Sequence, residues 1–194
     1  GKPLTLSDSG GFIHCSDGFT QEQIDWIKVL KGQKRGRISE TADEFKNVEF
    51  HDGKRPWGVE ADYATPCATQ NEISGSDAEI MLKNGIKAVA EGANMPSEQA
   101  AVDLFQEAKI LFGPAKAVNA GGVGVSGLEM SQNSARIAWE DDHLRSLLEN
   151  MMKKIHDSCV RYGTEDDGHV NYLAGSNIAG FVKVADAMLA YGHV

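Results

Sequence analysis

Ile86-Lys87-Ala88-Val89-Ala90-Glu91-Gly92-Ala93-Asn94-Met95-Pro96-Ser97 decides the fold. Its first five residues form a short apolar run fit for a buried strand, the polar turn follows, and Ser97 behind Pro96 opens a helix. A strand that runs through a turn into a helix is the unit of a parallel sheet, because parallel neighbours need a long crossover. The same alternation extends both ways. Ala61-Asp62-Tyr63-Ala64 reads as a strand ending at Thr65-Pro66-Cys67, Ser76 with Glu79 caps a helix that stops at Gly85, and Ile110-Leu111-Phe112 closes the strand series. Toward the N-terminus lie Leu4-Thr5-Leu6-Ser7 as an opening strand and Phe12-Ile13-His14 as an added strand or loop. A helix capped by Thr20 and Gln23 runs through Lys31, a shorter one begins at Ser39, and Val48-Glu49-Phe50 is a further strand. About four of these strands are expected to be parallel.

From Gly121 onward the β signal ends and three helical stretches remain, 123–139, 141–162 and 172–191. In the middle one Leu144, Leu148, Met151, Ile155 and Cys159 recur every three or four residues and make one apolar stripe. The fold class is therefore α/β, a Rossmann-like, mostly parallel sheet lacking its first βα unit, followed by a helical C-terminal segment. Residues 1–122 are expected to form a truncated dinucleotide-binding domain and 123–194 the helical segment of the same domain.

With 194 residues, 41% of them hydrophobic, one complete core is feasible. A formal net charge of -9 argues against a general affinity for nucleic acid, where phosphate neutralisation supplies most of the attraction. Three cysteines, Cys15, Cys67 and Cys159, stand far apart without a CxxC, which suggests neither a disulfide framework nor a zinc ribbon and fits the cytoplasm. No unbroken apolar run approaches a membrane span, so no membrane partner is expected. The absent initiator Met hints at a trimmed chain. Histidines 14, 51, 143, 156, 169 and 193 make no HExxH and no other zinc spacing, so no metal ligands are expected. The acidic runs Glu140-Asp141-Asp142 and Glu165-Asp166-Asp167 read as solvated turns.

Asp8 sits just past the opening strand, where nucleotide-binding α/β folds place a residue against the adenosine ribose. Lys31, Lys34, Arg35 and Arg37 follow one crossover later. Alone, they read as a solvated helix end. Together with Ser7, Asp8 and Ser9 they suit a ribose 2′-phosphate, which wants several charge-assisted donors, although an acid at the strand end by itself indicates a bare ribose. Three later strand ends carry polar or glycine-containing turns, from Pro66, Glu91 and Gly113, and in open α/β sheets the ligand crevice lies outside such ends. The Gly121-Gly122-Val123-Gly124 run suits close packing or an anion cradle equally. Cys67, with no base placed beside it, reads as a loop residue rather than a nucleophile.

Taken in order, SDS, KxxKxGR, PCATQNE, KAVAEGANMP, NAGGVGVSGLEMSQN and GSNIAGFVKVADAM resemble the C-terminal coenzyme domain of hexameric glutamate dehydrogenases over essentially the whole chain. The resemblance implies that Ser7, Asp8, Ser9, Lys31, Lys34 and Arg37 surround the 2′-phosphate of NADP. It also implies that Ala68, Thr69 and Asn71 line the coenzyme path and that Gly92 and Asn94 meet the nicotinamide ribose. Asn119 would then stand where nicotinamide and substrate join, with Val123 and Ser126 facing the amino acid. A serine at 126 suits a side-chain carboxylate and so favours glutamate. The implied reaction is the reversible oxidative deamination of glutamate to 2-oxoglutarate and ammonia. In that family the catalytic lysine and aspartate lie on the N-terminal domain, so no catalytic residue is expected here, and the chain alone should be inactive. The parent is expected to be a homohexamer, and this chain a monomer or weak dimer. An NAD-using or dual-specificity enzyme is the near alternative, and a noncatalytic nucleotide-binding module the distant one.

Overall fold

The computed structural model describes residues 1–192 and divides the chain into two compact units. His193 lies outside the described residues.

The first unit holds Gly1–Ala61 with Lys83–Gly85. Its sheet has the order β1-β2-β3, from Thr5–Asp8, Gly11–His14 and Glu49–Asp52, and both pairings are antiparallel. Neither pairing belongs to the mostly parallel sheet expected from the sequence. Only Ser9 and Gly10 separate Asp8 from its partner Gly11, and so short a turn brings the chain straight back alongside itself. Helix α1 (Gln21–Val29) starts with the capping box read from Thr20 and Gln23. A single π-helical turn, Leu30–Lys34, extends it and ends at Arg35 in the left-handed conformation. After the short α2 (Glu40–Glu44), the chain enters β3. Ile13, Cys15, Phe19, Ile27, Ile38 and Val48 make the core, flanked by Trp26 and Phe45 in edge-on contact at 5.6 Å.

The second unit holds Asp62–Leu82 with Ile86–Val194. Its sheet is parallel, β4-β5-β6, from Tyr63–Ala64, Ala88–Ala90 and Leu111–Gly113. Thus, among the described residues, three strands are parallel rather than about four, and the α/β class rests on this sheet and the helices that follow its strands. Helix α3 (Gly75–Lys83) begins two residues earlier than the expected Ser76 cap: Ser74 Oγ accepts from the Asp77 amide, and Asp77 accepts in return from the Ser74 amide at 2.9 Å. Helix α4 (Gln99–Glu107) buries Phe105 against Phe112 of β6, ring centroids 5.8 Å apart. A short α5 (Ala115–Val118) then leads into the helical segment, α6 (Ala120–Ala135), α7 (Asp141–Gly163) and α8 (Tyr172–Tyr191).

Helices α7 and α8 cross with their backbones in close approach. A Cβ on Gly175 would lie 2.2 Å from the Cys159 carbonyl, so only glycine fits. Glu165 and Asp167 are exposed at a turn, as read from the sequence, and flank Lys109 Nζ at 3.0 and 2.5 Å. Among the described residues one helix, α8, is long and apolar enough to cross a membrane by length and composition alone, with Phe181 and Leu189 exposed. A search for an unbroken apolar run overlooks it because Asn177, Lys183 and Asp186 interrupt the run.

Candidate coenzyme-binding surfaces

In the first unit the end of β1 carries a knot of charges. The Asp8 side chain is only 13% exposed. Its Oδ2 accepts from Lys31 Nζ at 2.8 Å and from the Ile38 amide at 3.0 Å, while Oδ1 accepts from the Gly10 amide at 2.9 Å. Burial pushes this carboxyl up, but the Lys31 ammonium and the two amides outweigh it and hold the pKa at about 2. Beside it the exposed Arg37 donates to Ser9 Oγ at 2.8 Å. Its own amide donates to Glu40 Oε1 at 2.7 Å, which fixes the loop. Lys31 spans the same loop by donating to the Gly36 carbonyl at 3.0 Å.

Of the residues expected here, Asp8, Ser9, Lys31 and Arg37 come together. Ser7 and Lys34 are exposed, and neither hydrogen-bonds to this knot among the described residues. Sequence reading missed the Ile38 amide, since a backbone donor leaves no signature in residue type, and it missed Glu40, which resembles any acid at a helix start.

In the second unit the strand-end turns are knit by backbone. The Pro66 carbonyl accepts from the amides of Gly92 and Ala93 at 2.9 and 3.0 Å. This pulls the turn after β5 against the turn after β4, so that a Cβ on Gly92 would sit 2.5 Å from Cys67 Sγ. Ala68, Thr69, Gln70, Gly92, Ala93 and Asn94 line an open cleft of about 700 Å³. Asn71 has a left-handed backbone, φ 54°, and its amide donates to the Met95 carbonyl at 3.0 Å. Asn119 Nδ2 donates to Asn94 Oδ1 at 2.7 Å and to the Ala93 carbonyl at 3.3 Å.

Asn119 precedes α6, and Val123 and Ser126 follow at four and seven residues, so the three occupy one helical stripe. Val123 is 80% exposed. Exposed Ser126 donates its Oγ hydrogen to the Gly122 carbonyl at 3.2 Å. The glycine run lies inside α6, where Gly121 and Gly124 face Leu148, Met151 and Met152 of α7, the close-packing alternative.

The sequence marks Glu91 only as the start of a strand-end turn. It is buried, and its two oxygens accept from the amides of Ser97 at 3.3 Å and Ala115 at 2.9 Å. A carboxylate thus fastens the turns after β5 and β6 to each other. A lone acid next to glycine gives no hint of this.

A family model described as Glutamate/Leucine/Phenylalanine/Valine dehydrogenase matches residues 1–192. The chain is 54% identical to an NAD(P)-specific glutamate dehydrogenase of Xylanibacter ruminicola, over 98% of this chain and 43% of that protein. It is 50% identical to an NADP-specific glutamate dehydrogenase of Salmonella typhimurium and 47% identical to an NAD-specific one of Bacteroides fragilis, in each case over 100% of this chain and 43% of the relative. Glutamate dehydrogenase of Plasmodium falciparum superposes with a TM-score of 0.92 at 40% identity, covering 100% of this chain and 42% of that one. The chain spans less than half the length of the relatives it matches.

Proposed function

The chain belongs to the Glutamate/Leucine/Phenylalanine/Valine dehydrogenase family, and we propose that it is the coenzyme-binding portion of an NADP-dependent glutamate dehydrogenase. The observation that carries the coenzyme choice is the meeting of Arg37 with Ser9 beside the paired Asp8 and Lys31. Asp8 already accepts three protein donors, two on Oδ2 and one on Oδ1, which leaves about one lone-pair site for a ribose hydroxyl. The exposed guanidinium and serine hydroxyl match the donors that a phosphate monoester requires. Lys34 and Ser7 would join them once the anion is present. A second reading, NAD or dual use, rests on the position of Asp8 at the strand end.

The second unit would hold the nicotinamide half. Gly92 lets the backbone approach closely, and the carboxamides of Asn94 and Asn119 orient each other as polar contacts for a ribose and an amide. When bound, the coenzyme supplies a hydride acceptor for the substrate α-carbon. The chain's own residues position it: Ala68, Thr69 and Asn71 along its path, Asn119 at the junction with substrate, Val123 against the aliphatic stem. The Ser126 hydroxyl would turn from Gly122 toward a side-chain carboxylate, which selects glutamate over apolar amino acids.

None of the six residues lining the cleft ionises near neutral pH. Moving protons during conversion to 2-oxoglutarate and ammonia therefore calls for groups supplied from elsewhere, and the chain alone turns over no glutamate. The same reading places the whole protein in the cytoplasm as a homohexamer and this chain by itself as a monomer or weak dimer. The test exchanges the matching portion of the Salmonella typhimurium relative for this chain and follows reduced coenzyme with glutamate. Reduction of NADP at a kcat/KM at least about tenfold above NAD, one lost charge-assisted contact's worth, is expected. A folded chimera that prefers NAD, or glutamate turnover by the chain alone, contradicts the proposal.

A further inference from the structure

Three ligand-type side chains meet on the antiparallel sheet, outside the coenzyme-binding surfaces. His14 of β2 pairs in register with Glu49 of β3, and Phe12 pairs with His51. Strand alternation sends Glu49 and His51 to one face with His14, while the intervening pair, Ile13 and Phe50, packs into the core. One donor atom from each of His14, Glu49 and His51 lies within 4.8 Å of the other two. Inside the cluster His51 Nε2 stands 3.8 Å from Glu49 Oε2, beyond hydrogen-bond distance. The His51 ring is pinned by stacking on buried Phe12, centroids 4.4 Å apart and planes 16° from parallel. His14 faces it with the ring planes tilted by 42°.

We propose that His14, Glu49 and His51 form a Zn²⁺ site. Two imidazoles and a carboxylate are a borderline donor set that suits zinc and offers too few oxygens for calcium or magnesium. Three protein ligands leave one tetrahedral position for water. With metal–ligand bonds of about 2.0–2.2 Å the donor atoms of a tetrahedron stand about 3.3 Å apart. Closing the present spacing of up to 4.8 Å calls on side-chain rotation of exposed Glu49 and half-buried His14. Linear spacing conceals the site because α1 and α2 separate His14 from Glu49. The ion would clamp β2 to β3 and is distinct from the coenzyme chemistry.

The test is calorimetric titration of the full chain with zinc chloride, in a Cys67→Ser background because Cys67 is an exposed thiol, beside His14→Gln, Glu49→Gln and His51→Gln. One ion per chain is expected, with each substitution weakening binding at least about tenfold, the loss typical even of a ligand's outer partners. Zinc should also raise the melting temperature of the parent but not of the variants. Glu49→Gln is the decisive variant, since its exposed side chain can change without disturbing the core, and circular dichroism checks its fold. Absence of binding, or binding that Glu49→Gln and His14→Gln leave unchanged, overturns the site.

Discussion

The turn after Asp8 is held by an ammonium and a guanidinium, whereas the turns after Pro66 and Glu91 are held by backbone and carboxamides together with the carboxylates of Glu72 and Glu91, each on backbone amides. In the first unit one carboxylate gathers an ammonium and two amides, and a guanidinium stands beside it. In the second the Pro66 carbonyl collects two amides, and Asn119 reaches Asn94. Charge is responsive to salt and pH, and it discriminates between ligands that differ by a phosphate. Backbone and carboxamide contacts respond to neither and suit a part of the ligand common to both coenzymes. The first unit should therefore set which coenzyme binds, and the second how its reactive end lies.

The largest expected effect strikes this contrast directly. In the chimeric enzyme, Lys34→Ala with Arg37→Ala should raise the Kd of NADP about 100-fold or more while that of NAD changes little, as two charge-assisted contacts vanish. Equal losses in fluorescence titrations would abolish the division of labour. Next is Ser126→Val, which tests whether the second unit reads charge in the substrate after all. Glutamate kcat/KM should fall about 10- to 150-fold, the worth of one hydrogen bond to a charged group, and that of norleucine much less.

Asp8→Asn addresses stability. The folded carboxyl titrates at about 2, below its ordinary 3.8, so its contribution is complete above the ordinary value and is lost as pH falls through about 2. Urea unfolding at pH 7 should show the variant about 2 kcal/mol less stable. The gap should close progressively below pH 4, and a gap that persists at pH 2 would mean that ionisation is not its source. The smallest effect belongs to Asn119→Ala, about 1 kcal/mol for a neutral hydrogen bond. That loss should be the same at pH 7 and pH 4 and at low and high salt. A salt-dependent loss would show that the second unit is electrostatic too.

Local signals served the sequence reading well and pairing signals poorly. The α1 capping box and the three terminal helices were legible because each depends on residues a few positions apart. The antiparallel start was not, since that required seeing Ser9-Gly10 as a hairpin turn and not as the edge of a ligand site. At the charged knot, residue types disclosed Asp8, Ser9, Lys31 and Arg37, but not the Ile38 amide that completes the Asp8 shell. Glu91 and the His14–Glu49–His51 cluster depend on neighbours distant in sequence.

The most direct measurement is an NMR titration of this chain with adenosine 2′,5′-bisphosphate and with adenosine 5′-monophosphate, followed at the amides of Gly10 and Ile38. These amides hydrogen-bond Asp8 and report on the first unit alone. If charge selects the coenzyme, the bisphosphate binds at least about tenfold more tightly at low salt, and the advantage shrinks as salt screens it. Equal affinities, or an advantage indifferent to salt, would contradict the selection of coenzyme by Arg37 and its neighbours.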